Sequence, residues 1–524
     1  MRRVYLLDCT LRDGGYINDF RFGEDVIKGF CKKIVKTGVD ICEVGFIKGD
    51  AYDPDTSLFP DIESFKNVIA PKDSRMKYVG MLDMSKPIPL NRITPYDGSS
   101  IDGIRVIFKK NKLNEAYEYC KRIQELGYFI SVNFVGTDLY SDEEFIAGIE
   151  KFNELCPYAV SIVDSFGVIK RKHFLRLCYI ADSNLKPETI LAYHAHNNLQ
   201  LAFGNAESLV EMNLKRDLII DACVFGMGRG AGNLNMELFA EYMNENYDTH
   251  YDIQPMLEIM DEYLSDIYKK KQWGYSLPFY LSASKNCHPN YSVYLEEKDA
   301  LSVQDFDHIL ASIPAEEKAN FSKEKAEKYY REYLCKDYDD SKDLEVLNHS
   351  FKGKDVLIIA PGRSIKEYKD SIEEYINKKD ITSISVNFLP TDWKVDFIFS
   401  NNMKRCRKID DTKGVKMILT SNISSDVESD YRVSFEKICG EKTETLDNSG
   451  LMLLRLLKNA GVNSVLIAGM DGYDEYYGMD YYDQSMEYSF NLDAKKRNAC
   501  IAEELKEIKE NMDVTFVTPS SYNA

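Results

Sequence analysis

A chain of 524 residues with 44% hydrophobic and 29% charged side chains is too long for one ordinary core and has the make-up of a globular protein of two or more domains. Its formal net charge of −19 argues against a nucleic-acid or anionic-membrane partner, since both attract basic surface. No apolar run has the length of a membrane span, no signal-peptide pattern follows Met1, and the twelve scattered cysteines form no Cys-x-x-Cys pair. These features predict a cytoplasmic protein with reduced thiols.

From residue 4 to about 245, short apolar runs alternate with amphipathic stretches. Strands are predicted at 4–9, 41–46, 77–82, 104–108, 129–135, 158–163, 189–194 and 218–224, and helices at 24–37, 112–126, 141–154, 170–182 and 199–213. Eight strand–helix units over roughly 240 residues predict an α/β fold, a (β/α)8 TIM barrel. Helical material continues to about residue 310, with a polar loop over 284–291, and 311–350 reads as a charged helical linker. A second, smaller Rossmann-like α/β domain is expected over 351–524, with strands at 355–360, 381–387, 395–400, 415–420, 463–468 and 513–517. Its helices fall at 365–378, 449–460 and 494–511, and the tyrosine-rich acidic segment 471–490 reads as a loop.

A barrel gathers its functional residues where its strands end. Arg12 and Asp13 follow the first predicted strand, Glu43 lies in the second, Arg105 in the fourth and Asn133 in the fifth. Ser165 closes the sixth, His194 and His196 end the seventh, and a glycine-rich run through Asn233 follows the eighth. The i, i+2 spacing of His194 and His196 puts both imidazoles on one face of a strand. With Asp13 they make a two-histidine, one-carboxylate set with open positions, which suits Mn²⁺, Mg²⁺ or a similar ion better than a closed zinc site. Arg12 and Asp13 are neighbours, and Gly14-Gly15 is read as the flexible element that bends both toward one pocket.

Thr10-Leu11-Arg12-Asp13-Gly14, Asp164-Ser165-x-Gly167, His194-x-His196-Asn197-Asn198 and Gly228-x-Gly230-x-Gly232-Asn233 resemble the ordered motifs of the DRE-TIM metallolyases (HMGL-like superfamily), over roughly residues 1–310. The resemblance is closest to the 4-hydroxy-2-oxovalerate aldolase-type barrels. It implies a divalent metal, Mn²⁺ or Mg²⁺, held by Asp13, His194 and His196, with Asn233 as ligand or support. It further implies that Arg12 stabilises a pyruvate-like enolate, that Ser165 holds the keto-acid carboxylate, and that Glu43 supports the metal shell. Arg105 and Asn133 are carried as substrate-side residues that can equally be structural. The bacterial aldolases place a general-base histidine shortly after the Arg-Asp pair; here Gly14-Gly15-Tyr16-Ile17-Asn18 has none. Tyr16 and His288 are the replacement candidates, His288 alternatively serving to cap a turn before Pro289.

In the second domain Gly362 and Ser364 sit between a strand and a helix, where backbone N–H groups favour a phosphate, and Asn387, Ser449 and Asp471 recur at element ends. This spacing resembles sialyltransferase-type Rossmann-like glycosyltransferases, which implies a nucleotide sugar as ligand and a setting in surface-polysaccharide or sugar biosynthesis; a non-catalytic sugar-phosphate- or nucleotide-binding domain and a purely structural domain are the alternatives. The function expected is a metal-dependent aldolase that joins or splits a keto acid and an aldehyde, with a homo-oligomer as a further expectation. Three alternatives stand beside it: a Claisen-type condensing enzyme using an acyl-CoA, a glycosyltransferase whose barrel only binds, and a barrel that has lost catalysis.

Overall fold

The computed structural model describes residues 2–298, 300–378, 380–409, 414–474, 480–487 and 493–522. The chain divides into two compact units, Met1–Asn290 and Tyr291–Ala524.

In the first unit the strands are β1 (Val4–Asp8), β2 (Ile41–Ile47), the two-residue β3 (Leu58–Phe59), β4 (Lys77–Asp83), β5 (Gly103–Phe108), β6 (Phe129–Phe134), β7 (Ala159–Asp164), β8 (Ile190–Ala195) and β9 (Leu218–Ala222). All pair in parallel, and β1 bonds both β2 and β9, so eight of them close into a barrel while β3 hangs on β2. Helices such as Glu24–Ile34, Leu113–Glu125, Asp142–Asn153, Arg171–Asn184 and Ala202–Glu211 follow the strands as the alternating pattern predicts. Helix Asp142–Asn153 starts where a Ser141–Glu144 capping box satisfies its first free N–H groups.

The two-residue period of each strand decides what faces the barrel interior. Leu7, Ile41, Val79, Ala159, Ala192 and Ile219 form a small apolar plug inside. One alternation further along, the same inward faces carry Glu43, Arg105, Asn133, His194 and Asp221, all buried. The outward faces, such as Phe108 and Phe134, pack under the helices with ring centroids 5.1 Å apart. The interior therefore turns polar toward the ends of the strands, where a barrel keeps its chemistry.

The second unit is a seven-stranded parallel sheet: β10 (Asp355–Ile359), β11 (Ile381–Val386), β12 (Phe397–Ser400), β13 (Lys416–Thr420), β14 (Tyr431–Val433), β15 (Ser464–Ala468) and β16 (Asp513–Phe516). Its order, β14-β13-β12-β11-β10-β15-β16, reverses direction between β10 and β15. Helix Ser449–Ala460 buries Leu451, Leu453, Leu454 and Leu457 against it. The stretch expected as a linker instead contains helices Lys323–Leu334 and Ser341–Phe351, which bury Tyr330, Leu347 and Phe351 within this unit. Tyr330 donates to Asp447 at 2.9 Å and Asp340 receives Ser434 N–H at 2.8 Å, contacts that a solvated charge run does not make. Of the predicted loop 471–490, residues 475–479 and 488–490 lie outside the described residues. No disulfide joins the twelve cysteines, and among the described residues no helix is long and apolar enough to cross a membrane.

Candidate active site

The turn after β1 differs from the reading given to it. Thr10–Asp13 is one helical turn, and Gly14 continues it with φ −58°, so no unusual backbone angle bends the Arg-Asp pair. What the glycines supply is room: a Cβ on Gly14 would lie 2.8 Å from Met227 Sδ, and one on Gly15 2.2 Å from the Phe20 ring. Thr10 anchors the turn by accepting Val224 N–H at 2.8 Å, which ties the end of β1 to the end of β9.

Arg12 and Asp13 are almost fully buried. Arg12 Nε donates to Glu43 Oε2 at 2.6 Å, and its Nη1 lies 3.4 Å from Asp13 Oδ1. Asp13 Oδ2 is 3.1 Å from His194 Nε2 and 3.7 Å from His196 Nε2. His194 Nδ1 lies 3.1 Å from Asp221 Oδ2, so this ring is held between two carboxylates. Burial alone would raise the Asp13 carboxyl, but Arg12 and the two imidazoles hold it well below the usual carboxylate range. Burial would lower His194; its contacts with Asp13, Asp221 and Cys9 reverse that and raise it well above the usual imidazole value. Burial together with the nearby cations brings His196 down to about 3.

The donor set fits a divalent cation on the structure's own terms. One atom from each of Asp13, His194 and His196 lies within 4.8 Å of the others, as ligands around one ion do. Both Asp13 oxygens and Asn233 Oδ1 are buried with no hydrogen-bond partner among the described residues, a cost that an ion removes. Asn233 is brought there by a bridge to His196 and by donating from Nδ2 to Met227 O at 3.1 Å. Nitrogen and oxygen donors with positions left open suit Mn²⁺ or Mg²⁺.

The other barrel residues singled out above take distinct places. Ser165 Oγ accepts Gly136 N–H at 2.9 Å, which leaves its own proton to give. Arg105 does not reach toward substrate: it is 2% exposed, its Nη1 lies 3.2 Å from Glu43 Oε1, and its Nη2 bonds Asp221. Glu43 is likewise occupied by two arginines. Both therefore read as positioning groups rather than substrate-side ones, because each buried charge is already paired with opposite charges. Asn133 is buried with an unpartnered Oδ1. Tyr16 sits at the mouth, 37% exposed, with its phenol raised by burial despite Arg229 and Arg12 nearby. His288 Nδ1 receives Asn290 N–H at 3.1 Å, the turn-capping contact, while Nε2 lies 3.4 Å from Arg229 Nη1. Burial and the charge of Arg229 hold its imidazole well below 6.5, hence neutral.

The glycine run after β9 is shaped by close approach. Gly232 has φ +82°, and a Cβ there would meet Gly226 O at 2.1 Å. Gly230 has φ +69° and faces Asn198 Oδ1, which accepts Ala231 N–H at 2.7 Å while Asn198 Nδ2 donates to Phe166 O at 2.9 Å. One asparagine thus stitches the loops after β7, β8 and β9 beside the candidate metal ligands. Asp221 was missed by sequence reasoning, although a lone carboxylate in the apolar run Leu218–Ala222 signals a buried partner.

In the second unit a cleft lies over the ends of β10 and β15, at the reversal of strand order, where open parallel sheets bind ligands. Gly362, Asn387, Ser449 and Asp471 line it, with Lys298, Arg405 and Arg497. The proposed phosphate loop is corrected: the helix after it is only Ser364–Glu367, Gly362 N–H is given to Gly469 O at 2.9 Å, and Ser364 N–H is given to Asp471 Oδ2 at 2.8 Å. The carboxylate of Asp471 already occupies the place of an anion. Asn387 Nδ2 donates to Ser449 Oγ at 2.6 Å, and Ser449 in turn bonds Asn401, which fixes a polar floor.

The HMGL-like family profile matches residues 107–262. Among characterised proteins, the chain is 22% identical over 291 residues to an oxaloacetate decarboxylase of Mycobacterium tuberculosis, covering 53% of this chain and 80% of that one. It is 23% identical over 271 residues to a 4-hydroxy-2-oxovalerate aldolase of Desulfitobacterium hafniense, covering 50% and 78%. Among solved structures, the N-terminal domain of a Bacteroides vulgatus protein described as an aldolase aligns with TM-score 0.47 at 25% identity, over 55% of this chain and 95% of that one. With the four ordered motifs on the closed barrel, the family profile and the two relatives support a likeness of the first unit to the HMGL-like, or DRE-TIM metallolyase, superfamily.

Proposed function

We propose that the barrel is a divalent-metal-dependent aldolase of the 4-hydroxy-2-oxoacid type, working on a pyruvate-like keto acid and an aldehyde. The observation that carries this reading is the cluster of Asp13, His194 and His196, with unpartnered buried oxygens on Asp13 and Asn233, beside the Arg12 guanidinium. A divalent ion held there supplies Lewis-acid polarisation of a 2-oxo acid's carbonyl. The activities named for the two relatives share one demand: the bond between C3 and C4 of a 2-oxo acid breaks, and its electrons move toward the C2 oxygen. Arg12, clamped by Glu43 so that its charge cannot swing away, stabilises that developing oxyanion without reorganising. Ser165 donates its hydroxyl to the keto-acid carboxylate. His288 Nδ1 accepts the Asn290 N–H, so its neutral ring carries the hydrogen on Nε2 and serves the C4 oxygen as a hydrogen-bond donor rather than as the base. Tyr16, whose phenol is raised, keeps its proton and serves as a hydrogen-bond donor.

The test needs no knowledge of the aldehyde. Purified protein with Mn²⁺ is expected to exchange pyruvate methyl protons with deuterated water, followed by NMR; no exchange with any divalent metal would end the aldolase reading.

The second unit is read as a ligand-binding module whose cleft takes a nucleotide sugar or sugar phosphate, supported by the amides of Asn387 and Asn401 and by three basic side chains at its rim. Titrating the protein with a nucleoside diphosphate in a calorimeter is expected to give saturable heat that is lost in Lys298→Ala. Absence of heat at millimolar concentration removes this reading and leaves the barrel's untouched.

A further inference from the structure

Arg229 stands in the glycine run at the barrel mouth, half-buried. Among the described residues no carboxylate lies within ion-pair distance of it, although the chain carries 85 acidic side chains. A guanidinium offers five N–H donors and is always charged. Here Nε is buried without an acceptor, and the other contacts are long: Nη2 to Ser165 O and Nη1 to His288 Nε2, each 3.4 Å. Its Cζ lies 5.3 Å from the centre of the Tyr16 ring, and Lys109 is near enough for its charge also to act on His288. The main chain between Gly228 and Gly230 fixes the position, since Gly230 is pinned against Asn198. An arginine set this firmly with donors unspent is built for an anion that arrives with a ligand.

We propose that Arg229 is a specificity residue that recognises a negative charge on the aldehyde half of the substrate, so that the acceptor is an aldehyde bearing a carboxylate or a phosphate. This rests on the aldolase reading of the same site. The placement separates the two halves of the substrate. Keto-acid recognition falls to Ser165 Oγ and the groups around Asp13; Arg229 reaches only the main-chain oxygen of Ser165 and otherwise touches Tyr16 and His288, the residues that face the C4 hydroxyl. The group bonded beyond C4 is therefore the one that meets the guanidinium. A neutral aldehyde leaves these donors desolvated and unmet, which penalises it.

The experiment compares kcat/KM for addition of pyruvate to matched pairs of aldehydes. Glyoxylate is set against acetaldehyde, succinic semialdehyde against butanal, and glyceraldehyde 3-phosphate against glyceraldehyde. One charge-assisted contact predicts a preference of roughly 10- to 100-fold for the charged member of at least one pair, and the pair that shows it separates a carboxylate from a phosphate. Arg229→Gln is expected to bring that ratio to within about threefold of one, and Arg229→Lys, which keeps the charge but not the fork, to leave an intermediate ratio. Equal rates for charged and neutral aldehydes in the wild type overturn the proposal. So does an undiminished ratio in Arg229→Gln. A raised KM for pyruvate in the deuterium-exchange assay, with the aldehyde ratio unchanged, also overturns it and moves the guanidinium to the keto acid. If the wild type exchanges no pyruvate protons, the aldolase reading itself has failed; exchange without charge preference defeats only the role of Arg229.

Discussion

Replacing Asp13 with asparagine is expected to remove bound Mn²⁺ from the protein and to slow pyruvate proton exchange by at least about 10²- to 10³-fold. Asn keeps the shape of the side chain but loses the charge that joins His194 Nε2, His196 Nε2 and Arg12 around one oxygen pair. Without it Arg12 retains only Glu43 as counter-ion, and His194 only Asp221. In the metal-free protein Asp13 and Asp221 together favour a protonated His194, so an incoming cation has to displace that proton as well as water. Metal content measured on the dialysed protein checks the first expectation independently of turnover. An Asp13→Asn protein that keeps both its metal and its exchange rate would disprove the assignment of this set.

Arg105→Met is expected to destabilise the barrel by about 3–5 kcal/mol, the cost of leaving buried carboxylates without their partner. Arg105 lies between Glu43 and Asp221, and these in turn hold Arg12 and His194. Methionine fills much of the volume, so a cavity contributes little and the loss is electrostatic. Trp273 is buried in the barrel, and the only other tryptophan, Trp393, belongs to the second unit. Urea unfolding followed by Trp273 fluorescence in a Trp393→Phe background therefore reports the barrel. A loss under about 1 kcal/mol would show that Glu43 and Asp221 do not depend on Arg105. The same substitution is expected to slow pyruvate exchange, since Arg12 and His194 lose the carboxylates that orient them.

These two residues show how the site is layered. Arg12, Asp13, His194 and His196 line the reacting space, while Glu43, Arg105 and Asp221 hold them from inside the barrel. On the proposed reading, the outer layer of Tyr16, Arg229 and His288 faces the second substrate. The histidine that the bacterial aldolases place after the Arg-Asp pair has no counterpart in Gly14-Gly15-Tyr16-Ile17-Asn18, and His288, from a segment beyond the barrel strands, has its Nδ1 taken by Asn290 N–H. On that reading a change in this layer is expected to alter which aldehyde fits without disturbing how the keto acid is activated.

The sequence by itself determined the barrel, because eight apolar runs of strand length separated by amphipathic helices leave few other closed arrangements. It also determined the metal-ligating candidates, since His194 and His196 at i, i+2 must share a strand face and the ends of barrel strands converge. What only the tertiary structure decided depends on contacts between residues far apart in the chain. Nothing near Arg105 in sequence reveals that Asp221, 116 positions away, neutralises it. Asp471 filling the anion place beside Ser364 is equally invisible, since the two are 107 residues apart. The helical turn at Thr10–Asp13 was hidden for a related reason. Its glycines look like hinges, and only Met227 and Phe20 packed against them show that they are there for space. Periodicity records which face a residue takes; the partner that meets it there is set by closure of the sheet, and that is where the Arg-Asp pair acquired its two histidines.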